Sequence, residues 1–347
     1  MAVMADADDF QLHLQRFIDS LRRGPSGVDR PAHEQEALIA VARDMLGRMV
    51  APLGPLGEAL APGAAFRPNQ VVAGVFTIQG LIRRGGMGEL YRARHRELGT
   101  DHALKTLRPG FSSNQDAIAL LRNEARLLAI IRSDAVVGGQ GLLRDSDGRL
   151  VLVMELLRGP DLERTLRNGP MEAPQVAVLG QRIAAGLQAI HRHGVVHQDI
   201  SPGNIVLCDN QAAGATLVDF GVARLLGDLH GPHDHIDFAG KLTWASPEQL
   251  TYGSAVDARS DLYSLGLVLA AAARGEPIPM GHDELVAVRE RRRVPPMDGV
   301  PPALHPVLTR LLQPAPGDRP ATAAAAAALL TAAITLRPRG FFGRRAP

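Results

Sequence analysis

The run His197-Gln198-Asp199-Ile200-Ser201-Pro202-Gly203-Asn204, followed by Asp219-Phe220-Gly221, gathers oxygen donors of a kind that can do chemistry. Phosphoryl transfer asks a protein for one carboxylate to accept the proton of an incoming hydroxyl. It also asks for oxygen ligands that hold Mg²⁺ on phosphates. Asp199, Asn204 and Asp219 supply that set. A lone Asp, Asn or DFG is more often an ordinary turn or cap, so the reading depends on which elements surround these residues and in what order.

Upstream, Phe76 to Ile82 predicts a strand. Gly85-Gly86-Met87-Gly88 before Glu89-Leu90-Tyr91 predicts a glycine turn returning into a second strand. Glycines there let backbone N–H groups close over phosphates, although by itself such a turn is a plain hairpin. His102-Ala103-Leu104-Lys105 ends on a lysine, which needs an anion to hold it, and Glu124 stands in the helical run Ala117 to Ile131. Leu150 to Met154 is an apolar run of strand length, leading into Glu155-Leu156-Leu157-Arg158-Gly159. A helix around Val176 to His193 precedes the catalytic stretch. Ser246-Pro247-Glu248, Asp261 and Asp318-Arg319-Pro320 follow it.

These landmarks, in this order, resemble the eukaryotic-like (Hanks-type) bacterial serine/threonine protein kinases, whose signatures include H-R-D-L-x-x-x-N, D-F-G and V-A-I-K. Gln198 stands for Arg, Ser201 for Lys, and Arg83 for the first glycine of the loop. The resemblance implies an α+β, two-lobed protein kinase fold, with a small β-rich N-lobe over 71–154, a hinge over 155–159 and a larger helical C-lobe over 160–336. It implies ATP and Mg²⁺, with Asp199 as base, Lys105 on the phosphates, Glu124 holding Lys105, and Asn204 and Asp219 on the metal. Gly85, Gly86 and Gly88 would cover the phosphates. Leu90, Ala103 and Val206 would enclose the adenine, with Met154 as gatekeeper and Glu155 and Leu157 on the hinge. Asp161 would contact the ribose or, equally, cap the helix before Leu162. Glu248 would pair with Arg319, and Asp261 would brace the catalytic loop. Small-molecule phosphotransferases share the catalytic carboxylates but normally lack the Glu248–Arg319 tie. Protein substrates are therefore expected, and a pseudokinase acting as a nucleotide-binding or scaffold module is the alternative.

With 347 residues and 46% hydrophobic content, the chain is long and apolar enough for one large domain with an extension. Thirty-eight basic against 36 acidic residues leave a formal charge of +2, so no global field points to nucleic acid or a membrane. One cysteine, Cys208, reads as a small buried hydrophobe and suits a reducing cytoplasm. The start MAVMADADDF lacks the pattern of a signal peptide, and Ala321 to Leu336 reads as a last helix, short for a transmembrane segment.

Residues 1–50 carry apolar positions at helical spacing (Phe10, Leu14, Phe17, Leu21; Leu38, Val41, Met45, Met49). They predict two amphipathic helices, docked on the kinase or on a partner. A Pro/Gly-rich linker over 51–70 follows. His230, His233, His235 and Asp234 read as a solvated loop rather than a metal site, and Arg289 with Arg291 to Arg293 as a solvated face. The basic tail over 337–347 reads as disordered.

The two departures in the catalytic loop have a partner elsewhere. In the resembled family a threonine follows the glycine of the activation segment, near the catalytic lysine. Here Lys241 follows Gly240, while Ser201 takes the lysine's place. The charge and the hydroxyl have exchanged positions. Of 38 lysines and arginines, only Lys105 and Lys241 are lysine. A planar guanidinium does not replace a compact ammonium in a tight site. Lys241→Ala is expected to lower turnover by ~10²-fold or more while leaving ATP affinity nearly unchanged, and full turnover in steady-state assays would remove Lys241 from the mechanism.

Overall fold

The computed structural model describes residues 63–221, 223–225, 242–251, 253–281 and 283–335. The helices expected over 1–50, most of the linker, the histidine loop, Lys241 and the tail over 337–347 lie outside the described residues.

The small lobe is built on β1 (Val71–Val72), β2 (Phe76–Arg84), β3 (Gly88–His95), β4 (Asp101–Leu107), β5 (Gly139–Arg144) and β6 (Leu150–Glu155). They form one antiparallel sheet in the order β1-β2-β3-β4-β6-β5. Side chains alternate across a strand, so the sheet has two working faces. Tyr91, Ala93, Leu104, Val151 and Val153 point to an outer apolar cluster with Phe76 and Ile78. Ala103, Leu107, Leu152 and Met154 belong to the main core that continues into the large lobe. Ala65 and Phe66, assigned to the linker in the sequence reading, are buried in the outer cluster. Glu89 accepts the Ala65 N–H at 2.8 Å, and the Tyr91 hydroxyl accepts that of Phe66 at 3.2 Å. The small lobe therefore starts before residue 71.

Helix α1 (Gln115–Ile130) starts where Asn114 caps the Ala117 N–H. Its buried Ala117, Leu121, Glu124, Leu127 and Leu128 recur at the three- and four-residue steps that make one face. That face lies against the sheet, which is why a glutamate can sit in the core opposite Lys105.

The large lobe contains α2 (Leu162–Leu166), α3 (Ala173–His191), β7 (Val195–Val196), β8 (Ile205–Leu207), β9 (Ala215–Leu217), β10 (Arg224–Leu225), α4 (Ala258–Arg274), α5 (Glu284–Glu290), α6 (His305–Leu311) and α7 (Ala323–Thr335). A capping box between Glu172 and Gln175 starts α3, and Asp257 caps α4. From Ser260 to Ala273 every residue of α4 is buried, making it the axis of the lobe. Gly180 of α3 is required by close approach, since a Cβ there would lie 2.8 Å from both Leu269 and Leu330. The hinge is as tight. At Gly159, with φ 153°, a Cβ would fall 1.9 Å from the Leu207 carbonyl oxygen. Leu207 and Asp209 donate backbone hydrogen bonds to Pro160 and Arg158, so the hinge is zipped along β8. Cys208, expected to be buried, is half-buried beside this contact, because it belongs to the turn that leaves β8 rather than to the core.

The expected pairing of Glu248 with Arg319 is present, with Nη1–Oε1 at 2.6 Å and Nη2–Oε2 at 2.9 Å. The remaining Arg319 donors go to the carbonyls of Gln313, Pro314 and Arg259, and Ser260 donates to Glu248. Both charges are buried, so the pair depends on this full satisfaction. Arg319→Met would strand a buried carboxylate and is expected to cost about 3–5 kcal/mol in urea unfolding. A loss below about 1 kcal/mol would mean that Glu248 finds other partners.

Candidate active site

Lys105 lies mid-strand on β4, between Leu90 of β3 and Leu152 of β6. Its Nζ donates to both oxygens of Glu124 at 2.8 and 2.7 Å, and to Asp219 Oδ1 at 2.9 Å. Burial acts to lower the pKa of this ammonium, but Asp219 and Glu124 outweigh it and hold the pKa above the usual lysine range. Lys105 stays protonated. Burial also pushes the Glu124 carboxyl up, against the pull of Lys105. The same glutamate accepts the Phe220 N–H at 3.4 Å, and the buried Phe220 ring lies 4.7 Å from that of His197. One contiguous set of contacts thus runs from α1 through Asp219-Phe220-Gly221 to the catalytic loop.

That loop is positioned from below. Asp261 of α4 accepts the backbone N–H groups of His197 and Gln198 at 2.9 and 2.8 Å, and meets His191 Nε2 at 2.8 Å. Asp199 is buried, and Asn204 Nδ2 donates to its Oδ2 at 2.7 Å and its carbonyl at 2.9 Å. Ser201, half-buried, opens the short 3-10 turn Pro202–Asn204. Val218 donates to the Asn204 carbonyl across the base of the β8–β9 hairpin, which ties the chain leading into Asp219 to the end of the catalytic loop.

The residues expected around an adenine lie on β3, β4, β6, β8 and the hinge. Ala103 and Met154 face each other across β4 and β6 and are buried, whereas Leu90, Leu157 and Val206 are half-buried. Glu155 ends β6, its carboxylate accepting the Gly138 N–H at 2.6 Å. Gly85 N–H donates to the Gly88 carbonyl, closing the glycine turn, and Arg108 holds the Gly86 carbonyl at 3.0 Å. A Cβ on Gly88 would sit 3.3 Å from the Thr106 carbonyl. Asp161 takes the capping position, accepting the Arg164 N–H at 2.7 Å.

Two contacts escape the sequence reading. Arg83, read only as a missing glycine, sends Nη1 across the cleft to the Gly203 carbonyl at 2.9 Å. Arg291, read as part of a solvated charge run, is 1% exposed. Its neighbours Arg289, Arg292 and Arg293 are exposed as expected. Arg291 lies just beyond α5, and what sets it apart from them is its bonds to carbonyls of a distant segment that the local run does not announce.

A five-stranded core sheet with an edge strand, a Lys–Glu pair beneath it and a braced catalytic loop define the protein kinase architecture. Residues 76–330 match the model of the protein kinase domain, and the chain belongs to that family. It is 32% identical to the serine/threonine-protein kinase Pkn1 of Myxococcus xanthus over 284 residues, 78% of this chain and 39% of that protein. It is equally 32% identical to the serine/threonine-protein kinase PkaA of Streptomyces coelicolor, over 72% of this chain and 48% of that protein. The chain thus spans about half or less of these relatives' length. Among solved structures it is similar in fold to the Mycobacterium tuberculosis PknI kinase domain. The TM-score is 0.59 at 23% identity, covering 78% of this chain and 99% of that one.

Gln198 occupies the position of an arginine that can grip a phosphate on the activation segment. It is in a left-handed conformation (φ 64°), and its Nε2 is buried without a hydrogen-bond partner among the described residues. Between Gly221 and Pro247 the hydroxyl residues are Thr243 and Ser246, and Ser246 is fully buried. Phosphatase treatment is therefore expected to leave activity unchanged. Loss of activity, restored by a phosphate mapped to Thr243 or Ser246, would show the opposite.

Proposed function

We propose that this chain transfers the γ-phosphate of ATP to serine or threonine hydroxyls of protein substrates, with Asp199 as the base. The observation that carries this reading is the simultaneous grip of Lys105 on Glu124 and Asp219 beside an Asp199 oriented by Asn204. A buried ammonium gathered with two carboxylates is costly to keep and marks a functional cleft. The names of the bacterial relatives support the same reading.

In this reading the adenine lies among Leu90, Ala103, Met154 and Val206, with the backbone of Glu155 and Leu157 at its edge. Gly85, Gly86 and Gly88 cover the phosphates, and Lys105 is the cation presented to them. Asp161 remains a helix cap. Asn204 and Asp219 would hold Mg²⁺, which when bound neutralises charge on the phosphates. The donor set fits. The Asp219 side chain is 42% exposed in the cleft, and the Asn204 amide nitrogen is committed to Asp199, leaving its oxygen as donor. Among the described residues no group of three or more His, Cys, Asp or Glu gathers to cage an ion, which suits a cation arriving with a nucleotide.

Asp199 accepts the proton of the substrate hydroxyl as its oxygen attacks the γ-phosphorus. The bond from phosphorus to the bridging oxygen breaks, and ADP leaves with the electron pair. Among the described residues no helix is long and apolar enough to cross a membrane. A single free cysteine supports a reducing, cytoplasmic setting. Residues 1–50 remain a proposed docking element, within the chain or for a partner.

A scaffold without turnover is the second reading, favoured by Arg83, whose bond to Gly203 spans the cleft a nucleotide would enter. Radiolabelled ATP with casein as substrate separates the two. Transfer is expected in the wild type, with Asp199→Asn lowering turnover by ~10²–10⁴-fold and ATP affinity little changed. ATP binding without transfer, identical in wild type and Asp199→Asn, would establish the scaffold.

A further inference from the structure

The segment Leu242 to Ser246, just before Pro247-Glu248, is held from three sides. Toward the catalytic loop, Gln249 accepts the Ser246 N–H at 2.9 Å and donates to the Gln198 carbonyl at 3.0 Å, one residue before Asp199. Toward the base of the lobe, Glu248 is locked by Arg319. The third anchor is Arg291. Its Nε donates to the Ala245 carbonyl at 2.7 Å and its Nη2 to those of Leu242 and Thr243. Its Nη1 donates to the carbonyls of Met280 and Ala287, each at 3.0 Å. One side chain joins the end of α5 to three peptide units of the segment.

Among the described residues no carboxylate takes part in this arrangement. Burial lowers the Arg291 pKa from its ordinary value, the expected penalty for a desolvated cation. A core that needed only to be filled would be as well served by a methionine. An arginine is instead the one side chain that offers five N–H donors in a fixed plane, and here those donors have backbone acceptors on both sides. Arg319 lies over the ring of the buried Tyr263, 4.8 Å from its centroid. The guanidinium fork of Arg291 thus fixes the peptide units of the segment, while Trp244 packs its ring against the main core.

We propose that Arg291 is a positioning residue for the protein substrate: by holding the carbonyls of Leu242, Thr243 and Ala245 it shapes the surface on which the polypeptide around the accepting hydroxyl rests. The inference rests on the kinase reading above. It places substrate affinity, not nucleotide affinity, under the control of a residue remote from the reacting atoms.

The test uses the full chain with Arg291→Met, Arg291→Lys and, as an exposed neighbour, Arg292→Met. With casein and ATP varied separately, Arg291→Met is expected to raise KM for casein ~10-fold or more and to leave KM for ATP within ~2-fold. Arg291→Lys, which keeps the charge but not the fork, should fall between, and it serves if the methionine variant does not fold. Arg292→Met should match the wild type. Equal losses toward both substrates, or no change, would overturn the proposal. Hydrogen exchange gives a readout that does not depend on turnover. Amides of 242–246 should exchange ~10-fold faster or more in Arg291→Met, with those of α4 unchanged. If the wild type transfers no phosphate, the kinase reading fails, while unchanged exchange would sink the Arg291 anchor itself.

Discussion

The arrangement of the cleft depends on one buried carboxylate. Asp261, 1% exposed on a helix that is itself wrapped in the large lobe, has no lysine or arginine for a partner among the described residues. It is satisfied by two consecutive backbone N–H groups of the catalytic loop and by His191. A carboxylate so enclosed is stable only while those donors stay in place, so the cost of exposing it becomes the stiffness of the loop. Gln198 is held in a left-handed conformation by the same bonds, a strain that a free loop would relax. Asp199 inherits its position from this bracing.

The upper half of the cleft works by another route. Glu124 reaches Lys105 only because the apolar face of α1 seats against the sheet, so a few buried leucines set the distance between two charges. Phe220, on the large-lobe side, donates its backbone N–H to the same carboxylate. The two lobes are thus joined through Glu124 as well as through the hinge, whose zipping along β8 leaves little slack.

Much of this was legible in the sequence because the motifs are local. The strand ending at Lys105, the glycine turn, the helix carrying Glu124 and the ordered Asp199, Asn204 and Asp219 each carry their signal in adjacent residues. The Glu248–Arg319 tie spans far more chain but is announced by short motifs at both ends. What the sequence concealed were single residues whose environment is assembled from elsewhere. Ala65 and Phe66 sit in a Pro- and Gly-rich stretch, yet they are buried in one cluster with Tyr91, whose ring packs on that of Phe66. Arg83 looked like the loss of a flexible glycine and instead gained a bond to the opposite lobe. Arg291 stood in a run of like charges whose other members are solvated, and only tertiary packing distinguishes it.

The two buried arginines also differ in what can disturb them. Arg319 is matched by the charge of a carboxylate held in a two-bond fork. Among the described residues Arg291 donates to peptide carbonyls, which neither titrate nor attract counterions, and its burial shields it from salt. The stretch from Leu242 to Ala245 is therefore fastened by a joint indifferent to the ionic composition around the protein. Added salt would instead loosen the exposed pairs that Arg289 and Arg293 make with Glu290, leaving this fastening in place.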